Sequence, residues 1–343
     1  MRFLLMMFLT IFFFSCSEED MAIDNPKKTG GKAPISEEQD KPKDLPDESG
    51  ERFVLAQKYF THELSAKKIP FSYYEPMADV EKNEKYPLVL ALHGAEYFLS
   101  PDTMFLKGQE RTAYMALAWL EKKNQAKYPC FVVAPNLHQG LWQSGADERY
   151  FGWEKEYPAD FVEKLLDSLL ANNPKIDENR MYLTGHSMGG TGTWYLGTKF
   201  KEKFAALVPL SSAFSSEQDT YQFIETELSN GLLKDLPVWS FIHRVDANSK
   251  QINGTDYEDG SRALAESMSE QEGYDLVYTH RKGNVDNNLS ESEILEKIEA
   301  GGKHFYTEYS YPCQSVGDCH FAQEYALQED FLLQWLFQQK KIK

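Results

Sequence analysis

Short apolar runs alternate along the chain with longer stretches in which apolar residues recur at helical spacing. Several of the runs are apolar throughout, as strands buried on both faces of a parallel sheet are. Strands are predicted over residues 70–76, 86–94, 129–136, 180–187, 204–212, 237–244 and 305–311. Helices are predicted between and after them, over residues 158–172, 191–203, 219–233 and 322–340. This alternation predicts a doubly wound, mostly parallel α/β sheet, in which a functional site lies at the carboxyl ends of the strands.

The N-terminal residues do not follow this pattern. Arg2 precedes an apolar run that ends at Phe14 and is too short to span a bilayer, so residues 1–15 are predicted to form a secretory signal. The junction at Ser15 resembles that of a bacterial lipoprotein, in which the next residue, Cys16, becomes the lipidated first residue. An ordinary cleaved signal, with Cys16 discarded, is the alternative.

Residues 16–50 are rich in Lys, Asp, Glu, Pro and Gly, which predicts a flexible acidic tether. The four residues after Cys16 are Ser-Glu-Glu-Asp, and such a sequence resembles the export signal of surface lipoproteins. We therefore expect an exported lipoprotein at the outer membrane, held by its lipid, with the periplasmic or the outer face left open. The catalytic domain is expected over residues 51–343.

Charge and composition indicate which classes of molecule this protein is expected to bind. The chain of 343 residues carries 53 acidic and 36 basic side chains, a formal net charge of −17. An excess of negative charge disfavours nucleic acid and anionic membrane surfaces as partners, and it favours solubility. With 42% hydrophobic residues, the chain has enough apolar material for one sizeable core. The sequence does not predict an oligomeric state.

The four cysteines have separate predicted roles. Cys16 is the candidate for lipidation, and Cys130 lies within an apolar strand, where a buried, inert thiol is expected. Cys313 and Cys319 are close in sequence in a chain predicted to leave the cytosol, so a disulfide between them is expected to stiffen the loop before His320. No spacing of Cys and His predicts a zinc site, and neither a metal ion nor an organic cofactor is implied.

The segment RMYLTGHSMGGTGTW places Ser187 between two glycines, at the end of a predicted strand and just before a predicted helix. This is the setting of a nucleophile elbow, in which a tight turn exposes the serine hydroxyl and points the first N–H groups of the helix at an oxyanion. We predict Ser187 as the nucleophile and the backbone N–H of Met188 as one oxyanion donor. His186 points away from the nucleophile by strand alternation and is predicted to be structural.

A second oxyanion donor is expected from the loop after the strand VLAL, where His93-Gly94 bends sharply. The N–H of Ala95 is the candidate, with that of Gly94 as the alternative. A His-Gly pair alone fits an ordinary turn equally well, and its pairing with the elbow favours the functional interpretation.

A serine nucleophile needs a general base, and four histidines follow Ser187 in the chain. His320 lies between the last predicted strand and the C-terminal helix, where the base of a Ser–acid–His order belongs. His304 precedes the last strand and would lie at the opposite edge of the sheet. His243 lies inside a predicted strand, and His280 lies in a strand or at its exit. His320 is therefore the predicted base.

The carboxylate that orients the base is less sharply defined. Asp246 follows the predicted strand PVWSFIHR and is the preferred candidate. Asp286, which precedes a helical segment, is the alternative, while Asp256 and Asp259 are more remote candidates. Asp318 is predicted to be a loop residue.

With these residues in place, the chain resembles the α/β-hydrolases of the secreted carboxylesterase group. That group includes feruloyl-esterase-like, polyhydroxybutyrate-depolymerase-like and "predicted peptidase" esterases. The resemblance runs from about Ile69 to the C-terminus and rests on YPLVLALHGA, VVAPN, NRMYLTGHSMGGTGTW, LPVWSFIH, YTEY and HFAQEY. It implies an α/β-hydrolase fold with Ser187 as nucleophile, His320 as base and an acid at or beside Asp246.

The chain departs from the group after the strand that carries the acid. The group usually has His-Gly-x-x-Asp there, whereas this chain has His-Arg-Val-Asp over residues 243–246. Residues 247–303 also carry an insertion relative to the group, with an additional helix and strand. Both departures bear on the acid and leave the nucleophile unaffected.

The predicted activity is the hydrolysis of carboxylic esters through an acyl-enzyme. Residues 138–157 form a long aromatic segment, in which Trp142 and Trp153 either wall a pocket for an acyl or sugar group or pack onto the domain. An exported esterase with such a cleft suits acetyl or feruloyl esters on polysaccharides. A serine peptidase acting on short peptides and a non-catalytic binding protein on a hydrolase scaffold are the alternatives.

Overall fold

The structure is a computed structural model, and it describes residues 35–36, 52–53, 55–77, 84–95, 114–137, 152–214, 216–244, 260–281, 289–311 and 319–341. These residues belong to one unit that extends from Ala33 to Lys343. The predicted signal, and all of the predicted tether except Ile35–Ser36, lie outside the described residues. In the described part of the chain, no helix is long and apolar enough to cross a bilayer.

Ten strands of the described residues form one mixed sheet. They are β1 (Ile35–Ser36), β2 (Ala56–His62), β3 (Lys67–Tyr74), β4 (Tyr86–Leu92), β5 (Phe131–Pro135), β6 (Ile176–His186), β7 (Ala206–Leu210), β8 (Val238–His243), β9 (Val277–Arg281) and β10 (His304–Tyr309). Their order in the sheet is β1-β2-β3-β5-β4-β6-β7-β8-β10-β9. Seven neighbouring strands are parallel to one another: β5, β4, β6, β7, β8, β10 and β9. At the β5 edge, the sheet continues with three antiparallel strands, β3, β2 and β1.

Helices cover both faces of this sheet. They are a 3₁₀ helix (Tyr114–Leu120), α1 (Lys122–Lys127), α2 (Glu156–Asn172), α3 (Met188–Lys199), α4 (Asp219–Ser229), α5 (Gly260–Glu270), α6 (Glu291–Glu299), α7 (Gln323–Ala326) and α8 (Asp330–Gln338). The first core contains residues of α2, α3, α4 and α5, and the second contains residues of the 3₁₀ helix, α6, α7 and α8.

Side chains along the parallel strands alternate between these two cores. In β4, Leu88, Leu90 and Leu92 belong to the first core, whereas Val89 and Ala91 belong to the second. Because both faces are buried, strands such as β4, β5 and β7 carry apolar residues throughout instead of alternating them with polar ones. The doubly wound α/β architecture predicted from the sequence is therefore confirmed.

All seven predicted strands are present, as β3 to β8 and β10. The additional strand expected within residues 247–303 is β9, which lies outside β10 at the edge of the sheet. That segment also carries two helices, α5 and α6, where one was expected. The strand β2 was not predicted, because its residues are mostly half-buried and only Phe60 and His62 of its seven residues are fully inside.

The C-terminal helix predicted over residues 322–340 is two helices in the structure. Glu329 adopts an extended backbone (φ −80°, ψ 111°) between α7 and α8. The break allows Ala326 on one side and Phe331 on the other to pack into the same second core.

Five of the parallel strands bring the predicted site to one edge of the sheet. The strands β4, β6, β7, β8 and β10 end there at Leu92, His186, Leu210, His243 and Tyr309. We call this side the carboxyl edge and the opposite side the amino edge. Ligand sites of α/β sheets form at the carboxyl ends of the strands. The segments that carry Ser187, the His-Gly turn and His320 all follow strands that end at this edge.

Candidate active site

Ser187 occupies the turn between β6 and α3, with a backbone conformation that few L-residues adopt. Its φ is +57° and its ψ is −118°, a strained combination that persists only when the surroundings hold it. The Ser187 N–H donates to the carbonyl of Leu210 at the end of β7 (3.0 Å), and the Ser187 carbonyl accepts from the N–H of Thr191 in α3 (3.0 Å). The strand–turn–helix arrangement predicted for this segment is present, and α3 begins directly after the serine.

The two glycines of the motif are required because backbone atoms lie where their side chains would be. A Cβ atom on Gly185 would lie 2.3 Å from the carbonyl oxygen of Gly189. A Cβ atom on Gly189 would lie 2.3 Å from the carbonyl oxygen of Leu92. The first turn of α3 therefore packs directly against the end of β4. This contact brings the helix beside the loop in which a second oxyanion donor is predicted.

His93 fixes that loop through two backbone hydrogen bonds. The N–H of Leu137 donates to its Nε2 (3.0 Å), so the ring carries its proton on Nδ1 and donates from there to the carbonyl of Gly94 (2.8 Å). The ring is fully buried. Both bonds hold the His-Gly turn in one conformation, as a preorganised oxyanion loop requires.

Trp153 supports the same loop. Its Nε1–H donates to the carbonyl of His93 (3.0 Å), and the two rings meet edge to face with 5.1 Å between centroids. The side chain is fully buried in the first core, so it offers no surface to a substrate. Of the two alternatives predicted for Trp153, the structure shows the one in which the side chain packs onto the domain. The physical reason is that a buried carbonyl at a sharp turn needs a donor, and the indole supplies one.

The two predicted oxyanion donors stand at the start of a helix and at the end of this loop. Met188 is buried and is the first residue of α3, where backbone N–H groups have no partner within the helix. Ala95 is half-buried, packs against the first core and is the last residue of its loop that the structure describes. Their role as oxyanion donors stays a prediction.

The segment of His320 contacts His186, the last residue of β6. The Nε2 of His186, which directly precedes Ser187, lies 2.7 Å from the backbone carbonyl oxygen of His320. The centroids of the two imidazole rings are 4.9 Å apart. His186 is fully buried and His320 is half-buried. One contact therefore joins the segment of the predicted base to the segment of the predicted nucleophile.

His186 is neutral in this site. Burial lowers its pKa well below the usual 6.5, and the neighbouring His320 ring lowers it further. Because a carbonyl oxygen only accepts, the neutral His186 ring carries its proton on Nε2 and donates from there. That His186 points away from the nucleophile stays a prediction from strand alternation. The pattern of the strand does not reveal that the His320 segment contacts His186, because the two residues are 134 positions apart.

The other histidines after Ser187 have different surroundings. His304 begins β10 at the amino edge, as predicted, and its Nε2 lies 3.2 Å from the carbonyl oxygen of Leu236. His243 ends β8, and its Nε2 lies 2.9 Å from the carbonyl oxygen of Tyr311. The backbone of His280 lies in β9, and its side chain is outside the described residues.

Several predicted residues lie outside the part of the chain that the structure describes. All candidates for the orienting carboxylate are among them, as are three other predicted residues: Asp246, Asp256, Asp259, Asp286, Asp318, Trp142, Cys16 and Cys313. Cys130 is a free, buried thiol, as predicted, and burial raises its pKa to about 12. Cys319 is disulfide-bonded. Because Cys313 lies outside the described residues, its pairing with Cys319 stays a prediction.

The described residues form an arrangement suited to nucleophilic acyl transfer. A strained serine stands at a helix N-terminus, a rigid turn lies beside it, and an imidazole segment is held next to it. Among the described side chains, no group of three or more His, Cys, Asp or Glu could hold a metal ion.

The chain is similar to several known proteins. Poly(3-hydroxyalkanoate) depolymerase C from Paucimonas lemoignei is 26% identical over 167 residues, which are 46% of this chain and 35% of that protein. A thermostable esterase of known structure is 26% identical, with a TM-score of 0.56, over 84% of this chain and 63% of its own. This chain thus spans less than two thirds of either protein. The feruloyl esterase module from Clostridium thermocellum, complexed with sinapinate, is 13% identical, with a TM-score of 0.49, over 91% of this chain and 98% of its own.

A family model described as "Putative esterase" matches residues 63–303. The matched range contains the His-Gly turn and the elbow, and His320 lies beyond it. Because the match extends over more than half of the chain, this protein belongs to that esterase family, and it has the α/β-hydrolase fold.

Proposed function

We propose that this protein is a serine carboxylic-ester hydrolase that works through a Ser187 acyl-enzyme, with His320 as general base and Asp246 as the carboxylate that orients it. The observation that carries the proposal is the hydrogen bond between His186 and the carbonyl of His320. It holds the last histidine of the chain next to the residue at which the elbow turns. A serine with strained backbone and a histidine at its side are the parts that nucleophilic acyl transfer requires.

The reaction follows from these parts. His320 takes the proton from the Ser187 hydroxyl as its oxygen attacks the acyl carbon of the ester. The N–H groups of Met188 and Ala95 donate to the oxyanion that forms, and each such donor supplies roughly 3–4 kcal/mol of transition-state stabilisation. His320 then gives its proton to the leaving alcohol. Water, activated by His320, attacks the acyl-enzyme in turn, releases the acid and restores the serine.

The order of strands favours Asp246 over Asp286 as the acid. The carboxylate must reach the His320 ring, and His320 contacts His186 at the end of β6. Asp246 follows β8, two strands from β6, whereas Asp286 follows β9, four strands from β6. At roughly 4.8 Å per strand these separations are about 10 Å and about 19 Å. A loop from β8 therefore reaches the base over a much shorter span.

An active-site probe tests the nucleophile. We expect a fluorophosphonate to label the wild-type protein and not the Ser187→Ala variant. Ser65 is the matched control, because its hydroxyl also bonds a histidine ring, lying 2.7 Å from Nδ1 of His62. Labelling that persists in Ser187→Ala and disappears in Ser65→Ala would contradict the proposal, as would a wild-type protein that takes up no probe.

The acid is tested by paired amide substitutions. Asp246→Asn should lower kcat by up to about 10⁴-fold, because the base loses the group that holds its productive tautomer. Asp286→Asn should leave kcat within about threefold of wild type, since that side chain is not part of the proposed triad. The opposite ranking would assign the acid to Asp286.

We further propose acyl and aryl esters, such as acetyl or feruloyl groups on polysaccharides, as the substrates. The family membership and the similarity to a polyester depolymerase support ester substrates in general. The test compares 4-nitrophenyl acetate, a feruloyl ester and acetylated xylan with short peptides. Turnover of the peptides alone would contradict the proposal.

Export and anchoring form a separate part of the proposal. The N-terminal run of apolar residues and the position of Cys16 support a lipid anchor at the outer membrane. Cells fed a labelled fatty acid should yield labelled wild-type protein and unlabelled Cys16→Ser protein. A labelled Cys16→Ser variant would contradict the anchor and leave the catalytic proposal untouched.

A further inference from the structure

We propose that His186 is a positioning residue for ester hydrolysis, because its Nε2–H holds the peptide group of His320 and thereby fixes where the His320 ring stands beside Ser187. This role rests on the proposed function of His320 as the base. It gives a function to a buried side chain that the sequence alone predicts to be structural.

Three contacts converge on one peptide unit of the His320 turn. The hydrogen bond of 2.7 Å to the His320 carbonyl is at the short end of the range for N–H···O bonds. The Phe321 ring stacks on the imidazole of His186, with 5.5 Å between the ring centroids and 21° between the ring planes. The His320 ring also contacts His186, with 4.9 Å between the centroids and 52° between the planes. His186 thus contacts the residue on each side of the carbonyl that it binds. A rotation of this peptide unit would move the His320 ring with it.

The support for this turn is itself rigid. His186 is the last residue of β6, its exposure is 0%, and its neighbour Ser187 is held by Leu210 and Thr191. A donor on a central strand is better placed to fix a base than one on a loop, because the strand cannot shift without breaking the sheet. The same strand end therefore carries Ser187 and holds the segment of His320.

The charge of the donor matters as much as its position. His320 becomes a cation when it takes the proton from the serine, and a second cation at 4.9 Å would oppose that step by Coulomb repulsion. The neutral His186 holds the carbonyl without this penalty. Burial keeps it neutral by lowering its pKa.

Steady-state kinetics on 4-nitrophenyl acetate test the role. His186→Met keeps the bulk of the side chain and removes the donor, so kcat should fall on the order of 10- to 100-fold with KM within about twofold. His186→Gln can place an amide N–H near the position of Nε2 and should recover most of the loss. A kcat of His186→Met equal to that of wild type would overturn the proposal.

His304→Met is the matched control. His304 is also buried and bonded through Nε2 to a backbone carbonyl, but it lies at the amino edge of the sheet. Its substitution should lower the melting temperature and leave kcat unchanged. If His304→Met lowers kcat as much as His186→Met does, the effect of His186 is a general loss of packing and the positioning role is wrong.

A double substitution separates an effect on the base from an effect on the nucleophile. If His186 acts through His320, then adding His186→Met to His320→Ala should change the residual turnover by less than about twofold. A further loss as large as that in the wild-type background would show that His186 acts on Ser187 instead, and would overturn the proposal. A His320→Ala variant with full turnover would contradict the proposed function itself, and this outcome is distinct from the other two.

Discussion

Two serines with positive φ stand side by side at the carboxyl edge. Ser187 has a φ of +57° at the exit of β6, and Ser211 has a φ of +41° at the exit of β7. The segments are joined by two backbone hydrogen bonds, from the Ser187 N–H to Leu210 and from the Ala213 N–H to the Ser187 carbonyl. The strained backbone of Ser187 is thus held by residues on either side of a second strained residue, Ser211. Strained backbone of this kind is frequent at functional sites.

The strain at Ser211 can be measured by substitution. Ser211→Gly should be more stable than Ser211→Ala by about 1 kcal/mol, because glycine adopts a positive φ without cost and alanine does not. Urea unfolding of both variants provides the measurement. The alanine variant serves as the control for loss of the hydroxyl. Equal stability of the two variants would mean that the backbone at Ser211 is not strained.

The indole of Trp153 offers a second test at this scale. Trp153→Phe keeps a ring and removes the donor to the His93 carbonyl, so the free energy of unfolding should fall by about 1–2 kcal/mol. The kcat for esters should fall with it, because the oxyanion loop loses a support. Trp335→Phe is the control, since Trp335 is equally buried and donates to the Gly302 carbonyl at 3.0 Å, away from the carboxyl edge. A similar loss of stability with unchanged kcat is expected there, and equal kcat values for the two variants would contradict the role of Trp153.

At the scale of elements, a side-chain bridge ties the antiparallel edge of the sheet to α2. His62, at the end of β2, has a buried ring whose Nε2 atom lies 2.8 Å from Oδ2 of Asp160 in α2. Its Nδ1 lies 2.7 Å from the hydroxyl of Ser65 in the turn to β3. Both ring nitrogens therefore have a partner, and one imidazole joins three elements.

Removing one partner tests this bridge. Asp160→Ala should lower the free energy of unfolding by about 1–3 kcal/mol, because a buried ring nitrogen of His62 loses its partner. The kcat should not change, since β2 is four strands from β6 in the sheet. Thermal unfolding and ester turnover measure the two effects. A drop in kcat without a drop in melting temperature would contradict this assignment.

The elements show what a sequence pattern can and cannot predict. Strands buried on both faces were predictable because a short, unbroken apolar run bounded by turn residues is typical of such a strand. The strand β2 was not, because it is half-buried at an antiparallel edge and carries a mixture of polar and apolar residues. The single C-terminal helix was predicted wrongly, since an apolar periodicity does not show that the chain is extended at Glu329.

The same contrast holds within the site. The elbow was predictable because its glycines, strand and helix are adjacent in sequence. The roles of Trp153 and His186 were not, since each depends on a partner from a distant segment. His93 lies 60 positions from Trp153, and His320 lies 134 positions from His186. Local patterns do not indicate such contacts.

At the scale of the whole molecule, buried histidines link stability to pH. Burial lowers the pKa of His186, His243 and His304 below the usual 6.5. Between the folded and the unfolded pKa values, the unfolded chain binds more protons than the folded one. The free energy of unfolding therefore falls as the pH falls through this window. Burial raises the pKa of Glu154, so this carboxyl group increases the free energy of unfolding as the pH falls. It is one group, whereas three histidines have the opposite effect.

Urea unfolding between about pH 7.5 and about pH 5 should thus show a loss of stability on acidification. The limiting slope is about 1.4 kcal/mol per pH unit for each fully buried histidine. His304→Met should be less stable than wild type at the higher pH, and its stability should depend less on pH. Stability that stays constant or rises towards pH 5 in the wild-type protein would contradict the linkage.

The position of β10 between β8 and β9 has a consequence for biosynthesis. Chain order and sheet order differ here, so β9 emerges from the ribosome before the strand that it will pair with. The strand β9 cannot join the sheet until β10 has paired with β8. Such non-local parallel pairing is slow. His320 follows all ten strands, while the elbow at Ser187 needs only residues already made. The proposed base is therefore the last part of the site to be synthesised.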